Sequence, residues 1–236
     1  VRKLAEKRKG GATELERLLP KIASKRKLSG TGDDRYLAIM TKCINQAGFN
    51  WSVIEKKWPQ FEEAFYGFDL DKLGMLSPGQ WEAYADDRRV VRNCQKIAAV
   101  RDNVGFVARV SAEHNGFGRF LANWPATDQI GLMQYLKKNG SRLGGQTCQW
   151  FLRFCGKDSF VLTKDVVTAL QDAGLDVKDQ PTSQAELKKI QQAFNAWHEE
   201  TALPFTILSK IASYSAGTNM ENHHIREQMK KMTAAM

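Results

Sequence analysis

Long apolar runs are missing from this 236-residue chain, and with them the roughly 20 consecutive apolar residues that a membrane-spanning helix needs. The first residues, VRKLAEKRKGG, are charged and lack the apolar centre of a secretory signal. Neither membrane insertion nor secretion is expected, and the chain is placed in the cytoplasm. Cysteine is scarce: Cys43, Cys94, Cys148 and Cys155 form no CxxC pair, and the four histidines lie far from them in sequence. A zinc finger or disulfide framework is thereby excluded as the organising principle. Strand-like alternation is scarce too, and no internal repeat recurs at a fixed period.

Positive charge is what the chain has in excess: 35 Lys and Arg stand against 26 Asp and Glu, a formal charge of +9. Most of it sits at the front, where residues 1–30 carry +7, while residues 31–180 and 181–236 each carry only +1. A basic arm containing KRKGG and SKRKLSG attracts polyanions, because neutralising phosphates releases condensed counterions, although the same arm serves equally as a solubilising segment. The nearly neutral remainder must make any specific contact through placed groups. The expected organisation is a basic arm or helix over 1–30, a core over 31–180, and a C-terminal helical extension over 181–236 whose tail, from 215 onward, frays.

Apolar residues recur at helical spacing almost throughout, as in Leu37, Met40 and Ile44 or Ile97, Val100, Val104 and Val107. Helix starts are marked by Ser77-Pro78, Ala126-Thr127-Asp128, Thr163 and Thr182-Ser183, the last with Glu186 as a capping box. The chain reads as all-α, with about ten short helices in a bundle-like domain.

The segment from Lys137 to Leu170 is the most informative. A helix ending at Lys138-Asn139-Gly140, a turn through Arg142, Leu143, Gly144 and Gly145, and a new helix from Thr147 make a helix-hairpin-helix. Its glycines let backbone approach a phosphate, and the N–H groups of the second helix's first turn, with Gln146 and Thr147, supply donors backed by the helix dipole. Such a turn clamps DNA without reading its sequence; taken alone it reads more readily as a plain αα-hairpin with a glycine turn. Lys138 and Arg142 flank it as phosphate contacts.

Three stretches together resemble the helix-hairpin-helix DNA glycosylase superfamily, and within it the 3-methyladenine DNA glycosylase I family. QAGFNWSVIEKKWPQFEEAFYGFD (46–69) is similar to the family's QAG-x-x-W segment, RRVVRNCQKIAAVRDN (88–103) to its Arg-Asn-x-x-Lys-Ile helix, and residues 130–156 to its hairpin region. The resemblance implies the all-α helix-hairpin-helix glycosylase fold and a monofunctional glycosylase of base excision repair. Such an enzyme flips a damaged, alkylated purine out of double-stranded DNA and hydrolyses its N-glycosidic bond. It also implies that Trp51 walls the base pocket and that Phe49, at the tip of the Gly48-Phe49-Asn50 turn, fills the stack once the base has left. Ordinary core packing is the competing role for Trp51. Asn45 and Gln46 offer hydrogen bonds to a base edge or simply polar helix-end contacts.

Three departures matter. The family's structural zinc has no counterpart, since no histidine precedes His114 and no cysteine precedes Cys43; no metal or cofactor is expected. The family's base-reading carboxylate lies eight residues before the tryptophan, where this chain has Cys43, which widens and neutralises the pocket. Conversely, Asp165 follows Thr147 by 18 residues, the spacing at which other superfamily members carry a catalytic aspartate. A carboxylate there stabilises oxocarbenium character on the deoxyribose; its other role is to cap the following helix. Gln146 occupies the place of the nucleophilic lysine of bifunctional relatives, so Schiff-base strand cleavage is not expected. Alkylated purines come first as substrates, because a cationic base already leaves easily, and the protein is expected to act as a monomer on duplex DNA. The alternative is a non-catalytic helix-hairpin-helix protein that binds DNA or senses damage.

Overall fold

Helical spacing becomes helices nearly everywhere. In the computed structural model, which describes residues 1–227, these are α1 (Arg2–Lys9), α2 (Ala12–Arg17), α3 (Lys25–Gly30), α4 (Asp33–Gln46), α5 (Trp51–Ala64), α6 (Leu70–Gly74) and α7 (Pro78–Ala83). They continue with α8 (Cys94–His114), α9 (Phe117–Asn123), α10 (Gln129–Asn139), α11 (Gly145–Phe154), α12 (Lys164–Asp172), α13 (Gln184–Thr201) and α14 (Phe205–Ser215). Among the described residues no strand occurs. The punctuation read from the sequence carries the hydrogen bonds expected of it: Ser77 and Gln80 close a capping box on α7, Ser183 and Glu186 another on α13, and Thr163 caps α12.

The described residues divide into two compact units that are not contiguous in sequence: 1–23, 125–132 and those from 152 onward form one, and 24–124 with 133–151 form the other. This differs from the division at 30 and 180, because hydrophobic burial joins segments that are remote in sequence.

The unit containing 24–124 is built on α4 and α8. Asp33 and Asp34 occupy the first turn of α4, where the helix dipole favours them. Asp33 also accepts hydrogen bonds from the Phe117 amide and the Ser111 hydroxyl. Leu37 and Ala38 of α4 are buried with Phe61, Phe65, Phe68, Trp81, Tyr84, Ile97, Val100 and Val104. Trp58 stacks on Phe61 and Phe68 with ring centroids 5.4 and 5.5 Å away. α3 approaches α9 so closely that a Cβ on Gly118 would lie 2.2 Å from the Leu28 carbonyl oxygen, so that position admits only glycine.

The other unit buries Ala5, Leu15 and Leu18 against Ile211, Tyr214 and Ile225. The first 23 residues are therefore folded. Arg2 pairs with Glu6 and Glu16, and Arg17 with Glu14, so part of the basic excess is neutralised internally. Nor is the segment after α14 loose over its described length. Arg8 donates to the carbonyls of Ala216 and Gly217, Lys9 to Met220 O and Asn219 Oδ1, and Ile225 is buried. The fraying expected from 215 onward therefore does not describe 216–227, and residues 228–236 lie outside the described residues. The Gln129 side chain pairs in both directions with the Phe160 backbone at 2.8 and 2.7 Å, and Phe160 stacks on Phe194 at 4.4 Å.

One feature of this unit opposes folding. Arg153, in α11, is buried, donates to Ser159 O, and has its Nε without a partner among the described residues. Lys210 lies close enough to feel its charge, and burial first, then Arg153, pull the Lys210 ammonium down to about 8 from 10.5. Between those pH values the unfolded chain holds more protons than the folded one, so folding gains stability as pH rises through this window. Lys210→Met is expected to stabilise the protein by about 1–3 kcal/mol at pH 7. Urea melts at pH 7 and 10 check this, with the advantage of the variant shrinking at the higher pH.

Candidate functional site

The turn between α4 and α5 is held by a buried lysine. Lys96, 5% exposed, donates from Nζ to the carbonyl oxygens of Asn45 (3.0 Å) and Ala47 (2.8 Å). These lie at the end of α4, where carbonyls have no partner within the helix. The same ammonium lies 4.4 Å from the centroid of the Phe49 ring, a cation–π contact. Burial, followed by the charge of Arg142, lowers the Lys96 pKa. Its helix, α8, is itself started by Asn93, whose Oδ1 accepts from the Lys96 amide. Asn93 is thus the cap of α8. Gly48 reverses the chain with φ +75, and Asn50 caps α5 by accepting from the Ser52 amide at 3.0 Å. Phe49 and Trp51 are left 44% and 40% exposed.

Trp51 meets Trp150 edge to face, with centroids 5.2 Å apart. Cys43, Asn45 and Gln46 are buried on α4. Asn45 turns its amide back onto Thr41 O at 2.9 Å, which commits one of its two N–H donors to the helix. Gln46 is placed differently. Its Nε2 donates to Glu55 Oε1 at 3.0 Å, while its Oε1 is buried without a partner among the described residues. An unmade buried hydrogen bond costs about 1–3 kcal/mol. Glu55 also pairs with Lys42 at 2.8 Å. Sequence reading missed both Lys42 and Glu55; the only signal was their spacing, four residues from Gln46 and from Trp51 respectively.

The hairpin joins α10 to α11, which starts at Gly145, two residues earlier than Thr147. Asn103 fixes the turn by donating to Ser141 O at 3.0 Å and accepting from Ser141 N at 2.8 Å. Arg142 stands in the left-handed region at φ +58, as does Gly145 at φ +54. Lys138, Arg142, Gly145 and Gln146 are exposed, and Gly144 and Thr147 are half-buried. Arg142 donates to Gln95 at 3.0 Å. Leu143 departs from its expected place among DNA contacts: its side chain is 1% exposed, since an apolar group anchors the turn from below, and only its backbone remains to meet a phosphate. An open groove of about 800 Å³ in the same unit is lined by Asp33, Asp34, Asp69 and Asp71, charges that repel a phosphate chain.

Asp165 belongs to the other unit, in the first turn of α12. It is not the cap of this helix, because the Thr163 hydroxyl accepts from the Val166 amide. Its carboxylate makes no hydrogen bond or ion pair among the described residues and is half-buried. The backbone of Gly217 passes so close that a Cβ there would lie 1.8 Å from Oδ1, and Arg8 holds the carbonyl of Gly217 at 2.6 Å. Cys148 and Cys155 are buried thiols that form no disulfide, and burial pushes Cys155 up to about 12. Among the described residues no three His, Cys, Asp or Glu side chains gather as metal ligands would.

This is the all-α fold of the helix-hairpin-helix DNA glycosylases. The chain is similar to the 8-oxoguanine glycosylase/lyase of Methanocaldococcus jannaschii, solved with a DNA 15-mer containing 8-oxoguanine, over 90% of this chain and 94% of that one, with a TM-score of 0.52 and 13% identity. It is also similar to the 3-methyladenine DNA glycosylase I of Staphylococcus aureus, at 21% identity over 70% of this chain and 87% of that one, with a TM-score of 0.45. No curated protein matches the sequence. The family model described as methyladenine glycosylase matches residues 30–152, more than half of the 236 residues. The chain belongs to the methyladenine glycosylase family, a family of DNA glycosylases of base excision repair.

The clamp at Lys96 generates a measurable expectation. Lys96→Met removes two charge-assisted hydrogen bonds and orphans two carbonyls, a loss of about 2–4 kcal/mol. Urea unfolding of the variant is expected to show a lower midpoint with an unchanged m-value.

Proposed function

We propose that this protein is a monofunctional hydrolase that extrudes a damaged, alkylated purine from duplex DNA and cleaves its N-glycosidic bond, with Asp165 as the catalytic carboxylate. The observation that carries the reading is the state of Asp165: a carboxylate in the first turn of a helix already capped by Thr163, with no ion pair or hydrogen bond among the described residues to occupy it. Family membership supplies the class of reaction.

As the glycosidic bond lengthens, the deoxyribose takes on oxocarbenium charge, which a nearby carboxylate stabilises. The carboxylate also orients a water, which adds to the anomeric carbon and gives up a proton as the base departs with the bonding pair; a cationic base leaves neutral and the proton passes to solvent, whereas a neutral base leaves as an anion and takes a proton up. An abasic sugar remains. Gln146 carries an amide where strand cleavage would need an amine, so the sugar is not attacked by the protein. Trp51 offers an aromatic face to the extruded base, and Phe49, supported by Lys96, fills the vacated stack. The hairpin, with Lys138 and Arg142 exposed beside it, holds phosphates through backbone N–H groups and charge.

Asp165→Asn is expected to slow base release from alkylated duplex DNA by about 100-fold or more while leaving DNA affinity within about twofold. Single-turnover release with products identified by mass, alongside binding at two salt concentrations, checks both halves. Undiminished release would remove Asp165 from the mechanism. Salt-sensitive binding without any release by the wild type would favour a non-catalytic DNA-binding protein.

A further inference from the structure

Trp51 and Glu55 are one helical turn apart on α5, and Lys42 and Gln46 one turn apart on α4. Both α4 side chains reach the same carboxylate, Lys42 Nζ at 2.8 Å from Oε2 and Gln46 Nε2 at 3.0 Å from Oε1. We propose that this Lys42–Glu55–Gln46 network selects an alkylated purine that is uncharged in its nucleoside, in preference to a cationic one. The inference rests on the reading of Trp51 and Gln46 as the base site.

The electrostatics give the direction. A cationic purine is held best by a carboxylate whose charge is not cancelled. Position 43 supplies none, being cysteine, and the charge of Glu55 is met by Lys42. Lys42 is 7% exposed and also lies 5.1 Å from the Trp58 ring centroid, so its ammonium is packed in place and does not swing away into water. Glu55 fixes Gln46 as well. An ionised carboxylate only accepts, so it takes the amide NH2 and leaves Oε1 as the carboxamide atom that is not engaged by Glu55. That oxygen is a buried acceptor with no partner among the described residues, suited to an N–H on a base edge. A neutral base departs less readily than a cationic one, which is the case in which an uncommitted carboxylate such as Asp165 matters most.

The test is single-turnover release of 1,N6-ethenoadenine, a neutral adduct, and of 7-methylguanine, a cationic one, from otherwise identical duplexes. Each rate is divided by spontaneous release. The wild type is expected to accelerate the neutral base more. Lys42→Met keeps the packing on Trp58 and uncovers Glu55, so it is expected to shift the ratio about tenfold toward 7-methylguanine. Glu55→Gln, a change on a residue reached by water, is expected to move the ratio the other way. Greater acceleration of 7-methylguanine by the wild type, or a ratio that neither variant moves, overturns the proposal. If Trp51→Ala still abolishes release in that case, the base site stands and only the role of the network falls. Release of neither base by the wild type removes the reading of the protein as an alkylpurine glycosylase, and this inference with it.

Discussion

A dehydrated ammonium with nowhere else to go is the constraint on which the site around α4 and α5 depends. Lys96 gives up water to satisfy the carbonyls of Asn45 and Ala47, and those are the groups a helix end leaves without partners. Because α8 is anchored at its start by Asn93, the lysine is delivered at a fixed height. The reversal through Gly48, the exposure of Phe49 and the start of α5 at Trp51 all follow from where that ammonium sits. The Arg-Asn-x-x-Lys-Ile pattern thus has a local explanation: asparagine begins the helix, and the lysine one turn later ties another helix to it.

The hairpin follows the same logic with a neutral group. Asn103 is 0% exposed, and its amide both gives to and takes from Ser141, so neither atom is left unpaired and the turn is held from beneath. Leu143 adds an apolar anchor. What remains outside is backbone with small or charged side chains, the composition that lets a phosphate come close.

Around Asp165 the arrangement is the reverse, with one group deliberately left over. Thr163 takes the capping role, and Arg8 holds the Gly217 backbone against the carboxylate. The side chain at 217 must therefore be absent. The first 23 residues, basic enough to look like a DNA-seeking arm, spend Arg8 and Lys9 on carbonyls of the segment after α14. They are structural cations here. Exposed lysines and arginines such as Lys25, Arg26 and Lys27 on α3 remain available to polyanions.

Local grammar made much of this legible without a structure. Helices, capping boxes at Ser77 and Ser183, the glycine hairpin and the turn carrying Phe49 are set by residues within a few positions of one another, and periodicity and capping act over that range. The family likeness likewise lay in short ordered motifs, and Asp165 was marked by its resemblance to the aspartate that other superfamily members carry at that distance from the hairpin. Other features depended on contacts between remote segments: the burial of Lys9, Lys42 and Lys96, the anchoring of 216–227 on α1, and the Glu55 bridge between Lys42 and Gln46. A lysine in a sequence looks the same whether it faces water or a ring of carbonyls. The sequence by itself determined which segments are helical and where they stop, because those free energies are local. Which charges are solvated, paired or left uncommitted was decided only by tertiary structure, because the cost of burying a charge depends on the neighbours that packing supplies.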